Sequence, residues 1–152
     1  MKKAVFAGSF NPFTIGHASI VERALPIFDS ITIGVGVNSS KVTPEYESSM
    51  QQRVEAIRIL YAGNEKVKVE SYTGLTAHFA KQQGAQYIIK GVRSVKDFEY
   101  EREQADINRM ISGIETVIFF SLPELSSVSS SLVRELQQNG CPTEKFIPKT
   151  RQ

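Results

Sequence analysis

A single cysteine, Cys141, serves the whole 152-residue chain, so neither an intramolecular disulfide nor a CxxC metal site can be built. It lies between Gly140 and Pro142 in a turn-like stretch and reads as a plain structural or exposed thiol. An excess of one charge is also missing. Eighteen Lys and Arg against sixteen Asp and Glu leave +2, and no dense basic block appears. That balance gives no case for nucleic acid as a partner. Long apolar runs are absent as well. Lys2 and Lys3 precede only a short one, soon broken by Gly8, Ser9, Asn11 and Pro12. Secretory signals need a longer apolar region, and membrane spans one longer still. A cytoplasmic protein with no membrane partner is therefore expected. There is no internal repeat and no low-complexity tract. No Ser-His-Asp or Cys-His arrangement stands out for covalent catalysis.

What is present is an ordinary globular composition, 41% apolar and 22% charged, over a length that suits one domain with a full core. A single domain over 1–152 is expected. Short apolar runs alternate with amphipathic stretches. Strands are predicted over 3–7, 31–37, 67–71, 87–90 and 116–120. Helices are predicted over 17–28, 75–83, 97–111 and 129–138. Another helix should start at Ser49, which with Gln52 resembles a capping box, and should bury Val54, Ile57, Leu60 and Tyr61. Gly84 and the pair Asn139-Gly140 look like helix stops. The fold class is α/β: a Rossmann-like, doubly wound, five-stranded parallel sheet with helices on both faces.

In such sheets ligands bind beyond the carboxyl ends of the strands. Ser9, Lys41, residues 73–76, residues 90–93 and residues 126–131 all follow strands and can converge on one crevice. The first of these turns is the most informative. Residues 3–7 run into Gly8-Ser9-Phe10-Asn11-Pro12-Phe13-Thr14-Ile15-Gly16-His17, and helical periodicity begins at the histidine. A strand, a small-residue loop and a helix start form an anion site, because free N–H groups and the helix dipole face the ligand. His17 can add a donor or a positive charge there. Thr14 can cap the helix or donate. Gly16 lets backbone approach a ligand closely. At the far end of the chain, Ser129, Ser130 and Ser131 precede the apolar helical face of Leu132, Val133 and Leu136, a second helix start suited to phosphate.

The segment from Ala7 to His17 resembles the opening motif of the nucleotidyltransferases with a (His/Thr)-x-Gly-His signature. Three later segments narrow the resemblance to the bacterial phosphopantetheine adenylyltransferases: Lys90-Gly91-Val92-Arg93-Ser94-Val95-Lys96-Asp97-Phe98-Glu99-Tyr100-Glu101, then Asn108-Arg109, then Val128-Ser129-Ser130-Ser131-Leu132-Val133-Arg134-Glu135. The resemblance covers nearly the whole chain. It implies transfer of AMP from MgATP to 4′-phosphopantetheine, giving dephospho-coenzyme A and pyrophosphate, with Mg²⁺ carried on ATP phosphates and a homohexameric assembly. By resemblance, His17, Lys41 and Lys90 are catalytic. ATP is held by Ser9, Phe10, His17, Gly91, Val92, Arg93, Glu101 and the run Leu125, Ser126, Ser127, Val128, Ser129, Ser130, Ser131. The acceptor is held by Ser9, Lys41, Thr76 and Lys90. This chain departs from the family's usual residues at Ser9, Asn11, Ile15, Thr76 and Lys90, the last standing where arginine is common.

The residues agree with that chemistry. An anionic phosphate must approach an anionic α-phosphate, so catalysis is mostly alignment and charge neutralisation, without a covalent intermediate. No all-protein metal cage is evident, and Mg²⁺ usually keeps waters and substrate oxygens. Two other readings stay open: transfer to another phosphorylated acceptor such as nicotinamide mononucleotide, and a nucleotide-binding module without turnover.

Overall fold

A computed structural model describes residues 1–37 and 43–150. Five strands, β1 (Lys3–Gly8), β2 (Ser30–Gly36), β3 (Val67–Tyr72), β4 (Tyr87–Val92) and β5 (Glu115–Phe120), form one sheet in the order β3-β2-β1-β4-β5. Every pairing is parallel. Five helices connect or follow the strands: α1 (Ile15–Ala24), α2 (Pro44–Leu60), α3 (Thr76–Gln82), α4 (Val95–Ser112) and α5 (Ser130–Gln138). The chain winds outward from β1 to β3, then returns to the other side of β1 as β4. The order therefore switches between β1 and β4, where doubly wound sheets bind ligands.

Period-two alternation divides the strands between two cores. Phe6, Ile31, Ile33 and Ile89 face α1 and α2, where Val21 and Ile57 close on them. Val5, Ala7 and Ile88 face the opposite side and pack on Phe79 and Ala80 of α3. Both faces of the sheet are covered, which is why the central strands read as almost unbroken apolar runs. Each fully buried Ile or Val contributes about 1.5–3 kcal/mol.

Two helix boundaries differ from expectation for local reasons. Helix α2 starts at Pro44, not near Ser49: Thr43 Oγ1 accepts from the Tyr46 N–H at 3.1 Å, with proline in the first turn. A threonine cap followed by a proline already set to helical φ starts the helix five residues before the capping-box pattern. Val54 and Ile57 are buried as expected, whereas Leu60 and Tyr61 are half-buried. Helix α1 ends at Ala24 because Pro26 has no N–H to continue the ladder, and Ile27 and Phe28 both donate to the Ala24 carbonyl.

Candidate active site

The turn from β1 into α1 is held in one conformation by its rings and its carbonyl partners. Phe10 has φ of 46°, a left-handed conformation that costs a non-glycine residue about 1–2 kcal/mol. Burial of its ring offsets that: it is 3% exposed and packs 5.2 Å from Phe6, 5.2 Å from Phe13 and edge-on to the His17 ring at 5.0 Å. Side chains from distant elements tie down the loop's carbonyls. Arg53 of α2 donates to the Ser9 carbonyl at 2.9 Å, Arg134 of α5 to that of Asn11 at 2.7 Å, and Ser130 Oγ to that of Pro12 at 2.7 Å.

Thr14 caps α1, so the helix starts two residues before His17 and carries it in its first turn. The Thr14 N–H donates to His17 Nδ1 at 2.9 Å. That bond leaves Nδ1 as acceptor and puts the imidazole proton on Nε2. Burial first, and then the Arg93 guanidinium, lower the His17 pKa from 6.5 to about 4. Of the two roles open to it, donor or cation, His17 is therefore a neutral donor near pH 7.

Beside it, Gly91 brings β4 against α1. A Cβ there would run into the end of the Ile20 side chain. One residue earlier, alternation turns Lys90 to the other face, where its Nζ lies 3.6 Å from Glu101 Oε2 of α4. Arg93 is steadied by Asp97, one turn into α4, at 3.3 Å. On the third side Ser129 caps α5, accepting from the Leu132 N–H at 3.0 Å, and Arg134 also donates to Ser131 Oγ at 3.2 Å.

These three strand ends enclose a crevice of about 330 Å³. Ser9, Phe10, His17, Lys90, Gly91, Arg93, Glu101, Val128, Ser129, Ser130 and Ser131 all line it. Other expected contacts do not. Val92 is 4% exposed and is part of the core. Leu125 ends a short 3-10 turn, Pro123–Leu125, that Ser126 and Ser127 follow, and Ser126 Oγ donates to the Pro123 carbonyl; none of the three lines the crevice. Thr76 is outside the lining, its hydroxyl 2.8 Å from that of Tyr72. Lys41 lies outside the described residues.

Sequence reasoning missed Arg134, Ser121 and the Arg53 anchor. Ser121 and Arg134 line the crevice. The spacing of Ser131 and Arg134, three apart on one helix, was a usable signal for Arg134. Nothing local marks Arg53, since its target is 44 residues away. Among the described residues no three His, Cys, Asp or Glu side chains could hold a metal, and no helix is long and apolar enough to cross a membrane.

Comparison with known proteins agrees with this geometry. The model of the cytidylyltransferase-like family matches residues 5–136. A phosphopantetheine adenylyltransferase of Bacteroides thetaiotaomicron is 52% identical over 149 residues, covering 98% of this chain and 97% of the relative. One of Bacteroides fragilis is 50% identical with the same coverage. Among solved structures, a bifunctional NMN adenylyltransferase/ADP ribose pyrophosphatase from Francisella tularensis superposes with a TM-score of 0.67 at 16% identity, over 99% of this chain and 46% of that one. That likeness is one of fold.

Proposed function

We propose that this chain, which belongs to the phosphopantetheine adenylyltransferase family within the cytidylyltransferase-like nucleotidyltransferases, transfers AMP from MgATP to 4′-phosphopantetheine in the crevice between β1 and β4. The observation that carries the assignment of the site is His17. It is a half-buried, neutral imidazole with Nδ1 occupied, set among cations at the topological switch point.

A phosphate oxygen of the acceptor attacks the α-phosphorus, the new P–O bond forms, and the bond to the β-phosphate breaks to release pyrophosphate. Charge grows on the α-phosphate oxygens during the transfer. His17 Nε2–H donates to one of them, and with Nδ1 taken by the Thr14 N–H the neutral ring has that single donor to give. Lys90, together with Lys41, offsets the repulsion between acceptor phosphate and α-phosphate. Ser129, Ser130 and Ser131 at the start of α5, with Arg134, receive the departing phosphates. Gly91 and Arg93 border the nucleotide. The tied carbonyls of Ser9, Asn11 and Pro12 mean that the loop is set before substrate arrives, which is what alignment catalysis requires. Mg²⁺ brought in with ATP would supply further charge neutralisation, and the hydroxyls of Ser129, Ser130 and Ser131 are oxygen groups of the kind such a hard cation accepts beside its waters.

The chain is expected to act in the cytoplasm as a homohexamer. Helix α4 supports an assembly, since none of its 18 residues is buried and it exposes Ile107, Met110 and Ile111. The activity is tested by incubating the protein with MgATP and a panel of acceptors while measuring pyrophosphate and adenylylated product. Turnover is expected with 4′-phosphopantetheine. Its absence defeats the reading. Faster turnover with nicotinamide mononucleotide reassigns the acceptor, and ATP binding without pyrophosphate release would make the chain a nucleotide sensor.

A further inference from the structure

The anchor on Ser9 reaches the crevice through one rigid peptide group. Arg53 Nη1 donates to the Ser9 carbonyl at 2.9 Å, and the guanidinium lies 5.8 Å over the ring of Tyr46, also on α2. Arg53 is half-buried, and its Nε is buried with no hydrogen-bond partner. A desolvated donor left unpaired costs stability, so stability alone does not explain this arginine. The Ser9–Phe10 peptide is trans and planar, so its N–H points opposite to its carbonyl. Helix α2 packs on β2 and β3, to one side of β1, and the crevice opens on the other side, between β1 and β4. A pull on the carbonyl from the β2 side therefore turns the Phe10 N–H toward the crevice, which Ser9 and Phe10 both line. Among the described residues that N–H has no protein acceptor. Phe10 is 3% exposed, and N–H groups so withdrawn from water are almost always paired. This one is left for a ligand. The competing arrangement is a flipped peptide. Turning the Ser9–Phe10 plane over would return Phe10 from its φ of 46° to the ordinary negative range and reverse the N–H. The flip leaves the Phe10 ring in place, so ring burial does not oppose it. The bond from Arg53 does.

We infer that Arg53 is a positioning residue acting through the Ser9–Phe10 peptide: it holds the Ser9 carbonyl and so aims the Phe10 N–H at the phosphate being transferred. This rests on the adenylyl transfer proposed above. Phe10 and His17 line the same crevice with their rings 5.0 Å apart, so the peptide N–H and His17 Nε2–H can serve one phosphate. A peptide donor held in advance needs no reorganisation as charge grows on the phosphate oxygens.

Two variants of the full-length protein, Arg53→Met and Arg53→Lys, separate this role from a merely structural one. With each substrate varied in turn, Arg53→Met should lower kcat about tenfold, the size of one lost donor to a charged group. The KM values for MgATP and 4′-phosphopantetheine should stay within about threefold, since the donor acts on the charge that develops during transfer. Arg53→Lys can still donate to the carbonyl and should recover most of the loss. The direct readout is the Phe10 amide. Ser9-Phe10 is the only Ser-Phe pair in the sequence, so protein labelled with ¹³C at the serine carbonyl and ¹⁵N in phenylalanine shows it as a single NMR signal. On addition of Mg²⁺ and α,β-methylene-ATP its proton should move downfield in wild type and in Arg53→Lys. In Arg53→Met the shift should be largely lost while calorimetry still shows the analogue binding. Equal shifts in wild type and Arg53→Met overturn the inference. So does an unchanged kcat in Arg53→Met, or an Arg53→Lys as impaired as Arg53→Met. If Arg53→Met fails to fold, Arg53→Gln, whose side chain is too short to reach the carbonyl, replaces it in both measurements. If wild type fails to turn over 4′-phosphopantetheine, the functional reading falls on that result, and the Phe10 signal still decides the anchor.

Discussion

Helices α1 and α4 flank the same crevice and are built in opposite ways. Helix α1 has ten residues and buries Ile20, Val21 and Ala24, while α4 has eighteen and buries none. The first is pinned at its start by the mutual bonds of Thr14 and His17 and along its length by the larger core. The second rests on α3, β4 and β5 and leaves Tyr100, Ile107, Met110 and Ile111 in the open. The difference teaches which groups the chain positions alone. His17 rides on the element that the core determines. Glu101 and the Asp97 anchor of Arg93 ride on a helix whose outer face still lacks a cover.

The largest expected effect tests the pinned side. His17→Ala removes the donor aimed at the growing charge and should lower kcat by about 10²–10³, the usual cost of one preorganised donor. ATP affinity, measured by calorimetry, should change only a few-fold. Equal losses in kcat and in affinity would remove the transition-state role. An effect of similar free energy follows from pH. Unfolded His17 takes its proton near 6.5 and folded His17 only near 4. Between those values the unfolded state binds more protons, so stability present above pH 6.5 is lost as the pH falls toward 4. The loss reaches on the order of 3 kcal/mol. Denaturant unfolding of wild type minus that of His17→Asn isolates it from the carboxylates, and NMR titration of the ring gives its pKa directly. A ring titrating near 6.5 would mean that the site is wetter than the geometry implies.

Packing separates the two helices at the next level. Val21 is 1% exposed, and Val21→Ala should destabilise the chain by about 2 kcal/mol in urea unfolding, through lost burial and the cavity left behind. A cost below about 0.5 kcal/mol, typical of surface sites, would erase the contrast with α4.

Much of this was legible in the sequence because it depends on local pattern. Apolar runs and helical periodicity named the alternating elements, and residues that follow strands had to gather at one edge of a parallel sheet. That reasoning brought Ser9, His17, Lys90, Arg93 and Ser129 to one crevice. Three kinds of information were not local. The start of α2 was decided by Thr43-Pro44 over a second, weaker cap pattern. The anchors of the first loop reach it from Arg53 and Arg134, 44 and 123 residues away. The protonation of His17 depends on burial and on the Thr14 N–H, which no spacing rule reveals.

The smallest expected change to the chain itself lies on α4. Met110 is 84% exposed, so Met110→Glu removes almost no intramolecular contact and should shift the stability of the dissociated chain by no more than about 0.5 kcal/mol. Its effect on assembly should be much larger. If second copies of the chain cover this face, the new carboxylate must be desolvated at the contact, and the assembly weakens by several kcal/mol for each buried charge. Sedimentation velocity across a range of protein concentrations reads the two effects apart. If the proposed hexamer forms through this face, wild type should stay assembled down to concentrations at which Met110→Glu has already dissociated. Thermal unfolding of the variant should then lose its dependence on concentration. Identical sedimentation of the two proteins would place the contact elsewhere. The open face of α4 would then be a property of the folded chain alone, and Arg93 would owe its position to Asp97 without help from a neighbour.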